Sequence, residues 1–305
     1  MTQRFVAVDF SRLPLPQIIE QLDVEDLVSR RIDLFKQVWE GLRDRQPDLS
    51  PYDVEGTPYD PVVILQEVGG YIDMIVLARI NDAVRSTFLA TATGTDLDNI
   101  AARYKTVRLE GEADRAFRER ILLAYEALST AGTYGGYEYH ARSAHPSVAD
   151  VEVYGPESGF CDPGQSLIVV MGKEGLGVPS AEVLTAVEDK LNDRDVRALT
   201  DEVLVQPVVV LPYVIETKLK VGRVPSGEAL RQEAIKRVEG LVARRFIGRR
   251  VARSAIAGAL HLIDGDGEPL ISDIELVSPA ADIVPTALQV ASCSTISVDL
   301  EFVDD

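Results

Sequence analysis

The apolar residues between Val62 and Leu89 recur every three or four positions, and this repeat restricts the fold more than any other feature of the chain. The repeat is carried by Leu65, Val68, Ile72, Ile75, Val76 and Ile80. This spacing places the side chains along one face of an α-helix. The segment therefore predicts one long amphipathic helix.

Helices are also predicted on both sides of this segment. Residues 1–16 end in "LPLP", where prolines remove backbone donors, and are predicted to form an irregular arm. The apolar spacing from Gln17 to Arg45 favours one or two amphipathic helices. A proline-rich connection, "DRQPDLSPYDVEGTPYDP", follows them. Two or three further helices are predicted up to about His140.

The pattern changes near Val148, where β-branched residues become frequent. "VADVEVYG" and "QSLIVVMG" predict strands, "SAEVLTAVEDKLND" predicts a helix, and "DEVLVQPVVVLPYVIETKLKV" predicts two long strands. Prolines in the last stretch indicate sheet edges or bends. The fold class is therefore α+β, with a helical N-terminal half followed by two small α/β units with mixed or antiparallel sheets.

Two similar helix starts support the presence of two α/β units. "VPSAEVL" and "VPSGEAL" place Ser180 and Ser226 as N-caps, with Glu182 and Glu228 in the positive first turn. The join between the units is predicted near Val208 to Pro212. The predicted domains are an arm (1–16), a helical core domain (17–147), a first α/β domain (148–210) and a second (211–305).

Composition excludes several classes of function. The net charge of -18 argues against a surface that binds nucleic acid or an anionic membrane. No apolar run approaches the roughly 20 residues that a membrane span needs, and the N-terminus lacks the features of a signal peptide. Cys161 and Cys293 predict buried or inert thiols in a reducing compartment rather than a disulfide framework.

Charge is divided sharply in the last third of the chain. Residues 231–253 contain eight Lys or Arg, clustered in "RRFIGRR" and Arg253, whereas residues 254–305 contain ten Asp or Glu and no Lys or Arg. The two segments could pair within the fold, pair across a subunit boundary, or form separate solvated faces.

The stretch "TATGTDLDNIAARY" (Thr91–Tyr104) could bind phosphate, bind a metal or start a helix. It lacks the spacing of a phosphate loop and the full ligand alternation of an EF-hand. A helix boundary fits better: Gly94 would end one helix in the left-handed conformation, and Thr95 would cap the next, with Asp98 three residues on. Leu97, Ile100 and Ala101 would then face inward.

No other motif predicts a catalytic, cofactor or metal site. "DGDGE" (Asp264–Glu268) has too few ligands for calcium by itself, and "GTYGGYEYH" (Gly132–His140) is interpreted as a helix end followed by a new amphipathic helix. The histidines, His140, His145 and His261, lack metal-binding spacing. Neither cysteine has a nucleophile context, and no Gly-x-Ser-x-Gly elbow is present.

The segment Asp60–Tyr104 resembles the baseplate assembly protein J family of contractile-tailed phages. The resemblance is carried by Asp60-Pro61, Tyr71, the run Arg79-Ile80-Asn81-Asp82-Ala83, and Leu89 to Asp98. It continues downstream through "DRAFRERILLAYEALSTAGTYGGYEYHARSAHPSVADVEVYGP", "VRALTDEVLV" and "VPSGEALRQEA".

The resemblance implies a non-enzymatic structural subunit of a baseplate wedge. Such a subunit would associate with copies of itself and with partner wedge proteins in a ring around the tail hub, and indirectly with sheath and tail fibres. It would be located in the virion tail baseplate after synthesis in the host cytoplasm, and related proteins occur in R-type bacteriocins and other contractile injection systems. No cofactor, nucleic acid or small-molecule substrate is implied. The alternative is a metal- or nucleotide-dependent enzyme that uses Asp96 and Asp98, or Asp264 and Asp266.

Overall fold

The structure is a computed structural model that describes residues 14, 16–52, 59–129, 132–222, 227–263 and 269–303. Within these residues the chain forms eight α-helices and six β-strands. They belong to two compact units, one of Val8–Val107 and the other containing Arg108–Asp305. The α+β class is confirmed, and the division into four domains stays a prediction.

The first unit is helical and contains three helices. Their bounds are α1 Val24–Arg43, α2 Pro61–Thr87 and α3 Gly94–Ala102. The long helix predicted from the apolar repeat is α2, which has 27 residues. Helix α1 begins after Asp23, whose carboxylate accepts hydrogen bonds from the backbone N–H groups of Glu25 and Asp26.

The helix boundary predicted around Gly94 is present, but the capping residue was wrong. Gly94 has a φ of +52°, the left-handed conformation that the sequence indicated. However, α2 has already ended at Thr87, and the N-cap of α3 is Thr93 rather than Thr95. Thr95 lies inside the first turn, where its carbonyl accepts a hydrogen bond from Asn99 Nδ2 at 2.9 Å. The predicted inward face of Leu97, Ile100 and Ala101 is buried.

The second unit begins with helices and a three-stranded sheet. The helices are α4 Asp114–Glu126, α5 Tyr134–Ala144 and α6 Ala181–Leu191; the strands are β1 Val148–Tyr154, β2 Gln165–Gly172 and β3 Glu202–Pro207. The strand order is β1-β2-β3, antiparallel between the first two and parallel between the last two. Ser180 caps α6 as predicted, because its hydroxyl accepts a hydrogen bond from Val183 N. Ser226 lies outside the described residues.

A second three-stranded sheet completes the unit. Its strands are β4 Val209–Gly222, β5 Asp273–Ser278 and β6 Gln289–Val303, and its helices are α7 Gly227–Val242 and α8 Arg253–Leu260. Here β4 is central, antiparallel to β5 and parallel to β6. Both sheets are therefore mixed.

Prolines inside strands are expected at sheet edges or bends, and the prolines of β3 and β4 differ in the position that they occupy. Pro207 ends β3, which is an edge strand, as the sequence predicts. Pro212 lies in the central strand β4, so of the two predicted alternatives an edge strand is wrong there, while an irregularity in the pairing of β4 with β6 between Tyr213 and Val214 fits a bend. At that position only β6 pairs with β4, because the pairing with β5 is limited to Glu216–Lys220. The missing N–H of Pro212 therefore costs no hydrogen bond on the β5 side.

The two sheets meet where β3 runs into β4. Val208, at this join, is 3% exposed, and its N–H donates to Val170 O at 2.9 Å. A buried apolar cluster continues across the join and contains Tyr154, Leu167, Val169, Met171, Val208, Ile247 and Val290. The Tyr154 hydroxyl also donates to the carbonyl of Ala287. Because Ile247 belongs to this cluster, these contacts position the basic segment, which we define as residues 231–253, beside the first sheet.

Candidate functional site

Helices α1 and α2 approach each other closely at two adjacent glycines inside α2, Gly69 and Gly70. A methyl group at Gly70 would lie 2.6 Å from Cγ2 of Val28, and one at Gly69 would lie 2.4 Å from the guanidinium of Arg31. A distance below 3.0 Å forces a neighbour to move. Gly70 therefore allows the two helices to pack more closely than a larger residue would permit, whereas at Gly69 the neighbouring atoms belong to the flexible end of the Arg31 side chain.

Polar side chains fix how α1 and α2 are aligned. Arg31 of α1 forms an ion pair with Asp73 of α2 at 2.7 Å and donates to Gln66 Oε1 at 3.3 Å. Asn81, which is 4% exposed, makes two hydrogen bonds with the backbone of Glu20: it accepts from the N–H at 3.1 Å and donates to the carbonyl at 2.8 Å. These bonds are specific in direction, so they select one alignment of the helices.

The start of α2 is held by a cap and an aromatic cluster. Asp60 accepts a hydrogen bond from Val62 N at 2.7 Å and another from the Tyr52 hydroxyl. Desolvation and this hydrogen bond raise the pKa of Tyr52 to about 12. The Tyr52 ring contacts Phe35 and Trp39 of α1, with centroid distances of 5.1 and 5.7 Å. The cap residue of α2 is thus tied to α1.

The apolar face of α2 that is turned away from α1 is exposed, and we name it the α2 stripe. It comprises Ile64, Leu65, Val68, Ile72, Ile75 and Val76, each between 44% and 65% exposed. Gly70 and Asn81, two of the buried residues of α2, lie on the opposite side of the helix, whereas the buried Gly69 lies at the edge of the α2 stripe, about 20° around the helix axis from Val76. Contiguous exposed apolar surface of this kind marks a site of protein or membrane interaction.

The α1–α2 pair also lacks a core of its own. No residue of α1 is buried, and the three buried residues of α2 include no large apolar side chain. In α1, Leu34 and Val38 are 60% and 56% exposed. Helices gain most of their stability from burying an apolar face, so this pair is expected to gain stability when another surface covers it.

By length and composition, α2 could also cross a bilayer. Most side chains of Pro61–Thr87 are apolar, and only Gly69, Gly70 and Asn81 are buried in this 27-residue helix. The expectation that no segment approaches the requirements of a membrane span was therefore wrong on these two criteria. Glu67 and Asp73 lie inside the helix and argue for a protein covering, because buried charges in lipid are costly.

The acidic residues of the alternative enzyme hypothesis do not form a site in the described residues. Asp96 and Asp98 lie two positions apart in α3, about 200° apart around the helix axis, and so point in different directions. Asp264 and Asp266 lie outside the described residues. Among the residues that the structure describes, no group of three or more His, Cys, Asp or Glu could hold a metal.

The predicted helix in "GTYGGYEYH" is confirmed as α5, with Thr133 as its cap. Thr133 Oγ1 accepts a hydrogen bond from Gly136 N at 3.1 Å. The buried Tyr137 donates its hydroxyl hydrogen to Asp201 at 2.9 Å, which identifies it as a packing residue. Desolvation raises the pKa of Tyr137 to about 12.

The histidines and cysteines are dispersed. His140 is half-buried in α5, and burial lowers its pKa to about 4. His145 accepts a hydrogen bond from Ser147 N at 3.1 Å, and His261 is exposed. Cys161 and Cys293 are free thiols of intermediate exposure, and desolvation raises the pKa of Cys293. A raised pKa makes a thiol less reactive at neutral pH.

The basic segment pairs partly within the fold. Arg250 lies 3.4 Å from the carboxylate of Asp282, and Arg245 donates to the carbonyls of Gly175 and Lys173 at 2.8 and 3.1 Å. The backbone N–H of Ile247 donates to the buried carboxylate of Asp150 at 3.0 Å. Of the three arrangements left open by the sequence, pairing within the fold is therefore observed for some of these charges.

Sequence reasoning gave no role to Gly69 and Gly70, although a signal was present. Two adjacent glycines inside an apolar helical repeat are unfavourable for a helix and indicate close approach of another backbone. Asn81 was noted only as part of a motif. A polar amide that follows the apolar repeat within the same helix is the corresponding signal for a buried hydrogen-bond partner.

Two protein-family domains and a phage protein match most of the chain. Residues 60–113 match the Baseplate J-like N-terminal domain, and residues 129–207 match the Baseplate J-like central domain. Baseplate protein J of Escherichia phage P2 is 34% identical in an alignment that covers 94% of this chain and 95% of that protein.

Proposed function

The chain belongs to the baseplate J family, and from this premise we propose that it is a structural subunit of a contractile-tail baseplate wedge. Membership supports a structural role in a phage baseplate and a location in the virion tail. The proposal adds that the subunit associates with copies of itself and with partner wedge proteins in the ring around the tail hub, after synthesis in the host cytoplasm. Sheath and tail fibres would be indirect partners.

The exposed α2 stripe is the observation that carries this proposal. An assembling subunit needs apolar surface that is solvated before assembly and covered afterwards. The α2 stripe has this character, because it lies opposite α1 on a helix whose position is fixed by Arg31, Asp73 and Asn81. A partner helix packed along the α2 stripe would complete a bundle. The net charge of -18 favours solubility of the free subunit.

The proposal includes a non-enzymatic role, which the same membership supports. The relative from phage P2 is named as a baseplate protein. Asp96 and Asp98 point in different directions from α3 and so do not form an acidic site together. No specific observation in the described residues favours the enzyme hypothesis, and the structural role is therefore the one proposed.

The test is to place charges on the α2 stripe and to measure assembly. In the variant with Ile72→Lys and Ile75→Lys, we expect complexes with co-expressed partner tail proteins to disappear from sedimentation profiles and from electron micrographs. The helical circular dichroism of the isolated subunit should persist, because both side chains are 56% exposed before assembly. A charge in an apolar interface is costly when no partner neutralises it.

Glu67→Lys is the matched control, because Glu67 is exposed on α2 but lies outside the α2 stripe. This variant also adds positive charge to the same helix, and it should assemble like the wild type. Normal assembly of the Ile72→Lys, Ile75→Lys variant would refute the proposal that the α2 stripe is an assembly surface.

A further inference from the structure

A basic groove lies in the second unit, between the start of α4, the first sheet and the segment that follows α7. Its cavity has a volume of about 870 Å³. We name it the basic groove, because six of its lining residues are cationic: Arg115, Lys173, Arg244, Arg245, Arg249 and Arg250. Among the described lining residues Glu119 is the single acidic one, and it lies 3.6 Å from Arg115.

Two of these cations are available to a partner. Lys173 and Arg244 are exposed, and within the described residues their side chains form no hydrogen bond or ion pair. Two other cations, Arg245 and Arg249, are held in position by contacts within the chain. Arg245 is held by the carbonyls of Gly175 and Lys173, and the Arg249 guanidinium lies 4.9 Å from the centroid of the Phe246 ring.

The walls between these charges are apolar. Met171, Tyr213, Leu241, Phe246 and Val251 contribute to the lining. A cavity with apolar walls and a few positioned cations fits a ligand that combines apolar groups with negative charges. A polypeptide segment with glutamate or aspartate between apolar side chains has this combination.

Nucleic acid fits the groove less well than an acidic polypeptide segment does. Nucleic acid presents a continuous line of phosphates and needs a basic surface along its length. The chain has a net charge of -18, so a long polyanion would be repelled wherever it left the groove. A short acidic segment needs only the local field of the six cations.

We propose that the basic groove docks an acidic, apolar-anchored segment of another protein. The basic groove belongs to the second unit and the α2 stripe to the first, and the proposal rests on the assembly role and deepens it by stating the chemistry of one partner. Lys173 and Arg244 would pair with the carboxylates of the segment, while the apolar walls would take up the intervening side chains.

The probe is a fluorescein-labelled synthetic peptide, rich in glutamate with interspersed leucine, titrated with the full chain. We expect fluorescence anisotropy to show binding at low salt that weakens as salt is added. A peptide with glutamine in place of glutamate should not bind. The variant with Lys173→Glu and Arg244→Glu should bind about tenfold more weakly, because both lost pairs are replaced by repulsion.

The matched control carries Arg194→Glu and Lys236→Glu, which change the net charge equally and lie outside the lining. This control should keep wild-type affinity, and both variants should keep the wild-type circular dichroism and melting temperature. Equal weakening in the control would overturn the proposal, because net charge rather than the groove would then be responsible. Failure of the glutamate peptide to bind at low salt would overturn it as well.

Two further outcomes would assign the groove to a different occupant and so overturn the proposal. The first is tighter binding of a labelled single-stranded oligonucleotide than of the peptide, with loss of that binding in the groove variant. The second is self-association of the wild-type chain in sedimentation that the groove variant abolishes. The Ile72→Lys, Ile75→Lys variant should bind the peptide normally, which separates this proposal from that of the α2 stripe.

Discussion

Gly69 and Gly70 show how single residues determine the packing of the first unit. Glycine inside a helix is unfavourable by about 1 kcal/mol relative to alanine, and α2 contains two in succession. Each lies where a Cβ atom would meet α1, at Val28 for Gly70 and at Arg31 for Gly69. The cost in helix propensity is thus offset by the contacts of α1 with α2.

Replacing Gly70 with alanine is expected to destabilise the first unit. The added methyl would lie 2.6 Å from Val28 Cγ2. Overpacking of this kind costs about 1–3 kcal/mol, while alanine returns up to ~1 kcal/mol of helix propensity. We therefore expect the free energy of unfolding to fall, by up to about 2 kcal/mol once the gain in helix propensity is subtracted. Urea denaturation followed by the fluorescence of Trp39, the single tryptophan of the chain, measures this change in α1.

Gly41 provides the matched control because it lies inside α1, where an added methyl group would have no neighbouring heavy atom within 4 Å. Gly41→Ala should raise the free energy of unfolding by up to about 1 kcal/mol. The two substitutions are thus expected to have opposite signs. A stabilising effect of Gly70→Ala would show that α1 and α2 do not pack as closely as described.

Individual helices and strands could be predicted well from sequence, but the surface that covers each of them could not. The apolar repeat correctly predicts α2, and the β-branched runs correctly predict β1 and β2. The same repeat does not reveal that Val68 and Ile72 face away from α1. Periodicity reports that a helix has an apolar face, and it is silent on whether the same chain or a partner covers that face.

The packing of α5 against α6 gives a pH dependence that involves His140. Burial lowers the pKa of His140 to about 4, with a further lowering by Lys190 and an opposing effect of Asp193. In the unfolded chain the pKa of histidine is about 6.5. Between these values the unfolded state binds more protons, so the stability is fully present above about pH 6.5 and is lost as the pH falls toward about 4.

The variant His140→Gln should therefore lose part of the pH dependence of stability in this window. Denaturation curves of the wild type and the variant, measured at several pH values between about 4 and 7, give the difference. His261→Gln is the control, because His261 is exposed. The carboxylates titrate alike in all three proteins and cancel in the comparison. Identical pH profiles for the wild type and His140→Gln would contradict a half-buried His140 that is neutral in the folded state.

At the scale of the whole molecule, the candidate surfaces belong to different compact units and differ in chemistry. The α2 stripe is apolar and lies in the first unit, whereas the basic groove lies in the second. The sequence revealed the charge division that supplies Arg249 and Arg250, and it also revealed the family resemblance. It could not predict that Lys173 and Arg115, distant in sequence, join these residues around one cavity, since that depends on how α4 and β2 pack.

The variant with Arg249→Glu and Arg250→Glu is expected to impair assembly more than folding. Within the fold, Arg250 makes an exposed ion pair with Asp282 and Arg249 contacts the Phe246 ring. Each such exposed contact contributes about 1 kcal/mol or less, so the melting temperature should fall by only a few degrees. Reversed charges at the groove would repel an acidic partner and slow association. Complex formation with partner tail proteins should therefore drop sharply in sedimentation profiles.

Arg194→Glu combined with Arg197→Glu is the control for this comparison, because it changes the net charge equally and removes one exposed contact, the 3.2 Å hydrogen bond from Arg197 to Asn192. If charge reversal acts through the groove, this control should assemble like the wild type. Long-range repulsion by net charge would instead weaken both variants alike and would shrink as salt is added. Normal assembly of the Arg249→Glu, Arg250→Glu variant would remove the basic segment from the assembly interface, and the α2 stripe would then remain as the candidate contact.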